Sequence, residues 1–120
     1  MATDAYSGTP VRSADEPVVV ESESHLDAIV DEQALVLVDF YADWCGPGQM
    51  LDPILRGLAA ETDAVIAKVD VDAHQDLAAA YGVRGVPMLV LFADGEQVDQ
   101  QVGAVPADQL RALIERYDSE

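Results

Sequence analysis

The stretches Leu35-Val36-Leu37-Val38 and Met88-Leu89-Val90-Leu91-Phe92 are apolar at every position rather than at every second one. Side chains along a strand alternate between its two faces, so an unbroken apolar run needs cover on both. Strands of this kind belong inside a sheet with helices packed on either side. The rest of the chain supplies the helices. Leu26, Ile29 and Val30 share a helical face behind Ser24, whose S-x-x-D spacing to Asp27 predicts the helix start. Leu51, Ile54, Leu55, Leu58 and Ala59 recur at helical spacing, so a second helix begins close to Cys45, with a kink expected at Pro53. A short helix is predicted over residues 74–80, and Leu110, Leu113, Ile114 and Tyr117 mark a last one behind Pro106. Further strands are predicted at residues 17–20, 64–71 and 97–102. The last is entered through the hairpin signal Asp94-Gly95 and ended by Gly103. The order βαβαβα, then a hairpin, then a helix implies an α/β chain with a mixed sheet covered on both faces.

Length and composition bound the rest. A chain of 120 residues, half of them hydrophobic, fits one domain with a core that needs no disulfide staples. Residues 1–16 mix Ser, Gly, Pro, Thr and charges without apolar period and are expected to form a mobile tail ahead of a domain at 17–120. That start lacks the pattern of a secretory signal, and no apolar run approaches the roughly 20 residues of a membrane helix. A soluble, cytoplasmic protein is expected. With 23 acidic against 6 basic residues the formal net charge is -17, which argues against nucleic acid or anionic lipid as a partner. Adaptation to a salt-rich cytoplasm explains such a surface, and steering toward a basic partner is the other reading. Lys68 is the sole lysine. The single cysteine, Cys45, excludes a disulfide within the chain and argues against a metal site built from several thiolates. His25 and His74 lie in polar contexts and read as surface side chains. Neither a metal nor another cofactor is expected.

The segment Val38-Asp39-Phe40-Tyr41-Ala42-Asp43-Trp44-Cys45-Gly46-Pro47 strongly resembles the active-site strand and turn of the thioredoxins. The likeness extends, in the family's order and spacing, to Ala67-Lys68-Val69-Asp70-Val71-Asp72, to Tyr81-Gly82-Val83-Arg84-Gly85-Val86-Pro87, and to Val102-Gly103-Ala104. It covers roughly residues 17 to 118 and implies the thioredoxin fold, a central mixed sheet of about five strands flanked by four helices. One departure stands out. Thioredoxins carry Cys-Gly-Pro-Cys, and here the resolving position is Gly48.

A thiol attacks a disulfide as the thiolate, and a helix start favours negative charge through its unsatisfied N–H groups. Cys45 is therefore read as an exposed, reactive nucleophile at a strand-to-helix turn, with Pro47 fitting the first helical turn. Gly48 has no side chain and cannot resolve a mixed disulfide, so release needs an external thiol. The resemblance implies that Asp39 is a buried aspartate assisting proton transfer and that Lys68 is its neighbouring lysine. It also implies that Val86-Pro87 forms a cis-proline turn beside the cysteine, where a substrate peptide pairs with the backbone. Trp44, Gly46, Pro47, Val86, Pro87 and Gly103 would shape that groove. Met88, where thioredoxins often have threonine, is expected to make it more apolar. The implied partners are proteins with disulfides or oxidised thiols, and a reductase or small thiol. The chain is expected to be a monomer, with a Cys45-linked dimer as an oxidation product. Two other readings stand beside monothiol exchange: a redox-inactive binding module that keeps the groove, and an engineered single-cysteine variant of a dithiol thioredoxin.

Overall fold

The computed structural model describes residues 16–118; the predicted tail at 1–16 falls almost wholly outside them. The described chain runs β1 (Val18–Val19), α1 (Glu23–Glu32), β2 (Leu35–Tyr41), α2 (Gly46–Glu61), β3 (Val65–Asp70), α3 (Gln75–Ala80), β4 (Met88–Ala93), β5 (Glu96–Val102) and α4 (Ala107–Tyr117). The strands form one sheet in the order β1-β3-β2-β4-β5. The first three are parallel; β4 runs antiparallel to β2, and β5 to β4. This is the thioredoxin fold, with five strands in a mixed sheet and four helices.

The two apolar runs become β2 and β4, adjacent at the centre of the sheet with Val38 opposite Val90. Their alternate residues feed two separate cores. Val36, Val38, Phe40, Val90 and Phe92 pack with Leu26, Ile29 and Val30 of α1 and Leu77 of α3. Leu35, Leu37, Leu89 and Leu91 pack on the other face with Leu51, Leu55 and Leu58 of α2 and Leu110 and Ile114 of α4. Burying one Leu, Ile or Val side chain contributes about 1.5–3 kcal/mol, so both faces stabilise the sheet. Asp39 sits in β2 between Leu37 and Tyr41 and shares their face, beneath α2 and α4. It is the one buried charged residue among the described residues.

Two turn details bear on the site. Asp94 (φ 52) and Gly95 (φ 85) make a two-residue hairpin loop with both residues left-handed, the geometry expected of Asp-Gly. The extra residue Val98 in β5, between the partners of Leu91 and Phe92, is a bulge. Gly103 (φ 97) ends β5, and its N–H donates to the Pro87 carbonyl at 2.8 Å, tying the end of the hairpin to the start of β4.

The cap of α1 differs from expectation. Ser22, not Ser24, is the N-cap: its backbone is extended and its hydroxyl accepts the His25 N–H at 3.1 Å. Ser24 lies in the first turn, its hydroxyl 3.1 Å from that of Ser22. The helix begins two residues earlier than the S-x-x-D pattern suggested because an equivalent hydroxyl stood there first. Ser22→Ala is therefore expected to cost about 1 kcal/mol of stability, and Ser24→Ala at most about 0.5 kcal/mol. Denaturant midpoints of the two variants would check this, and equal losses would contradict the assignment.

Candidate functional site

Strand β2 carries the chain through a tight turn into α2. The Cys45 N–H donates to the Ala42 carbonyl at 3.1 Å, closing the turn, and the Gln49 N–H donates to the Cys45 carbonyl at 3.1 Å, opening the helix. Cys45 is the N-cap residue of α2 and its side chain caps no helical N–H. The first N–H groups of α2 are free of side-chain capping from it, and the helix dipole places partial positive charge at this end. Gly46, Pro47 and Gly48 form the first turn, and the helix continues as one element through Pro53.

Cys45 is not exposed as the sequence suggested; it is only 8% accessible. Its thiol is turned toward the loop ahead of β4 and donates to the Val86 carbonyl at 3.5 Å. A small side chain at the N-cap, with a polarisable S–H seeking an acceptor, folds inward onto this nearest carbonyl. The Val86–Pro87 peptide bond is cis, as the resemblance implied. Cys45, Val86, Pro87 and Gly103 thus meet at one end of the sheet, joined by the thiol–Val86 and Gly103–Pro87 hydrogen bonds.

Trp44 turns its ring edge to Asp72. It is 71% exposed, with its indole N–H donating to the Asp72 carboxylate at 3.0 Å. It forms one wall of a groove of about 200 Å³ whose other walls are Val71, Ala78, Val83, Arg84 and Val86. Met50, also strongly exposed, lies in the second turn of α2. Met88 corrects another expectation. It is buried on the α1 and α3 side of the sheet with Phe40 and Val90, so it adds nothing to the groove's surface. The strand period explains this, since Met88 points to the opposite face from Leu89.

A second cluster lies under α2. Asp39 and Lys68 are register partners on the parallel strands β2 and β3, and both point to the α2 face. Asp39 is fully buried, and neither carboxylate oxygen has a hydrogen-bond partner among the described residues. Burial drives its pKa up from 3.8 to about 7, with the Lys68 ammonium opposing the rise and the Asp52 carboxylate adding to it. Lys68 does not pair with Asp39. Its ammonium meets Asp52 of α2 at 2.6 Å and lies 4.4 Å from the centre of the Tyr41 ring. The expected neighbourhood of Asp39 and Lys68 is present, but the ion pair goes elsewhere.

Sequence reasoning missed Asp52, Asp72 and Arg84. Asp52 had a faint signal, a charge adjoining the apolar stripe Leu51, Ile54, Leu55 on a helix facing the only lysine. Arg84 and Asp72 fall within longer blocks of family likeness, and nothing in their spacing places them at Trp44. His25 and His74 are half-buried rather than fully exposed; His25 accepts the Glu21 N–H at 3.0 Å through Nδ1. Among the described residues no group of three or more His, Cys, Asp or Glu is placed to hold a metal ion, and no helix is long and apolar enough to cross a membrane.

Residues 16–116 match the family model described as Thioredoxin. The chain belongs to the thioredoxin family. Among its relatives is a thioredoxin of Chlamydia trachomatis serovar D, 45% identical over 100 residues that make up 82% of this chain and 96% of the relative. A thioredoxin of Staphylococcus epidermidis is 40% identical over 102 residues, 83% of this chain and 97% of that one. Of solved structures, a mutant thioredoxin from Halobacterium salinarum NRC-1 superposes with a TM-score of 0.87 and 56% identity, covering 94% of this chain and 98% of that one. The family membership spans the whole described domain, so both clusters, at Cys45 and at Asp39, lie within the shared fold.

Proposed function

We propose that this chain exchanges thiols and disulfides with protein substrates through Cys45, working as a monothiol. The observation that carries the reading is the placement of the only cysteine. It is the N-cap of α2, hydrogen-bonded to the Val86 carbonyl next to the cis Val86–Pro87 bond, in a chain of the thioredoxin family. Asp39 and Lys68 act in proton affinity, and Trp44, Gly46, Pro47, Val86, Pro87 and Gly103 form the surface on which an extended peptide lies. Gly48 stands where the family's motif has its second cysteine.

The Cys45 thiolate attacks one sulfur of a protein disulfide, forming a mixed disulfide, and the other sulfur leaves as a thiolate that takes a proton. An external thiolate then attacks the Cys45 sulfur and frees the substrate's second thiol. A second equivalent restores Cys45 and leaves joined to the first as a disulfide. Two external thiols thus supply the two electrons that a resolving cysteine would provide within the chain. Entry to this path requires the thiol to leave the Val86 carbonyl, because Cys45 is buried at rest.

That burial favours a second reading, a binding module that keeps the groove without turnover. Intact-mass analysis after exposure to a disulfide-bearing protein separates the two. An adduct at Cys45 that an added thiol releases is the expected result, and it disappears in Cys45→Ser. No adduct, with the fold intact and Cys45 reduced, would overturn monothiol exchange in favour of the binding module. Other partners and settings follow from the same reading. The net charge of -17 fits a salt-rich cytoplasm, and one close structural relative comes from Halobacterium salinarum.

A further inference from the structure

Beneath α2, three ionisable side chains share a setting that has room for only one ion pair. Lys68 reaches up from β3, Asp39 faces it from β2, and Asp52 descends from α2. The ammonium is committed to Asp52 at 2.6 Å, a short charge-assisted contact. The pair is only partly exposed, with side-chain accessibilities of 16% for Lys68 and 34% for Asp52. Asp39 receives no hydrogen bond at either oxygen among the described residues. An isolated ionised carboxylate in such a place is costly, and the group escapes the cost by keeping its proton.

We infer that Asp52 is a positioning residue, whose carboxylate holds the Lys68 ammonium on α2 and so decides which of the two carboxyls on this face carries the charge. The charged groups that bear on Asp39 are few. From β3 there is Lys68, and from α2 there is Asp52, with Arg56 and, ahead of β1, Glu16 lining the same cavity of about 210 Å³ as Asp52 and Lys68. From β2 itself there is the Tyr41 ring under the ammonium. Strand β4 offers Leu89 as register partner of Asp39, and on α4 Arg111 is engaged at 2.6 Å by Glu61. Of the other described cations, Arg56 alone lines the cavity that Lys68 and Asp52 share. Asp52 therefore acts twice: it withdraws the one available ammonium, and it adds a negative charge that opposes ionisation of Asp39. The state of Asp39 matters for exchange, because a carboxyl that holds its proton can give it to a departing thiolate, whereas an ion-paired carboxylate cannot.

The test follows the Asp39 carboxyl carbon by NMR against pH in the full chain, with Asp39→Asn used to assign the signal. In the parent chain it should titrate near pH 7. In Asp52→Asn the freed ammonium turns to Asp39, and the midpoint should fall by about one pH unit or more, the usual effect of an opposite charge within reach. Asp52→Glu should restore the parent value. Asp52→Asn combined with Lys68→Met should cancel the fall. A midpoint that stays put or rises in folded Asp52→Asn would overturn the inference, and so would a fall below the parent value as large in the double variant as in Asp52→Asn alone. A merely structural role for Asp52 would lower stability without moving the midpoint. The measurement reads the carboxyl itself, so its outcome is separate from whether Cys45 exchanges disulfides.

Discussion

Replacing Asp39 with asparagine is expected to stabilise the fold above neutral pH and to leave it nearly unchanged in acid. The folded-state pKa of Asp39 is raised to about 7 from 3.8, chiefly by burial. Between those values the folded chain holds a proton that the unfolded chain has released, so stability falls as pH rises. Below 3.8 both states are protonated and the group contributes no penalty. Above about 7 the folded chain must bury a charge, and the full penalty is on the order of 4 kcal/mol, since each pH unit between the two values corresponds to about 1.4 kcal/mol. Asparagine removes the titration and keeps the shape. Its amide is as unpartnered as the protonated acid, so the two costs of burying an unsatisfied polar group largely cancel. Denaturant midpoints of parent and variant, measured at about pH 4 and about pH 8.5, should diverge only at the higher value. A gap of equal size at both would mean that the difference is one of packing and that the buried charge is not its source.

The same residue shows where the sequence was informative and where it stopped. The unbroken apolar runs placed β2 and β4 at the centre of the sheet because a strand with no polar face has no other stable location. The alternation within those runs even divides the two cores, and it is what turns Met88 away from the groove. Cys45 at a helix start was legible from the return of helical spacing just after it. Its orientation was not, because the acceptor that draws the thiol inward, Val86, lies 41 residues away. Lys68 is a sharper case. Parallel register brings it opposite Asp39, which sequence similarity anticipated, yet the choice of ion-pair partner depends on how far Asp52 reaches down from α2. Local patterns fix which face a side chain occupies; competition among several groups on that face is settled only by distance.

If Cys45 works as a monothiol, Gly48→Cys is expected to speed release of the substrate from its mixed disulfide. Cys45 occupies the N-cap of α2 and position 48 is three residues on, the pair of positions whose side chains reach toward each other at a helix start. Disulfides form across Cα separations of about 4.4–6.8 Å, and residues three apart in a helix fall in that range. The introduced thiolate would attack the Cys45 sulfur of the mixed disulfide, expel the substrate's thiolate, and leave a disulfide between positions 45 and 48 for an external dithiol to reduce. Tethered groups in good geometry act at effective concentrations far above those of free reagents. Even an effective molarity of about 1 M would make release roughly a thousandfold faster than with about 1 mM of an external monothiol. Rapid-quench measurement of substrate release from the preformed adduct reads this directly, with Gly48→Ser as the control for side-chain size. The serine variant should release no faster than the parent. If the thiol variant also kept its substrate, although oxidation readily joined positions 45 and 48, then the second sulfur would be present and the step would still fail. In that event the obstacle would lie in the seat of Cys45 against the Val86 carbonyl, and the buried thiol would be the feature that commits this chain to holding its partner.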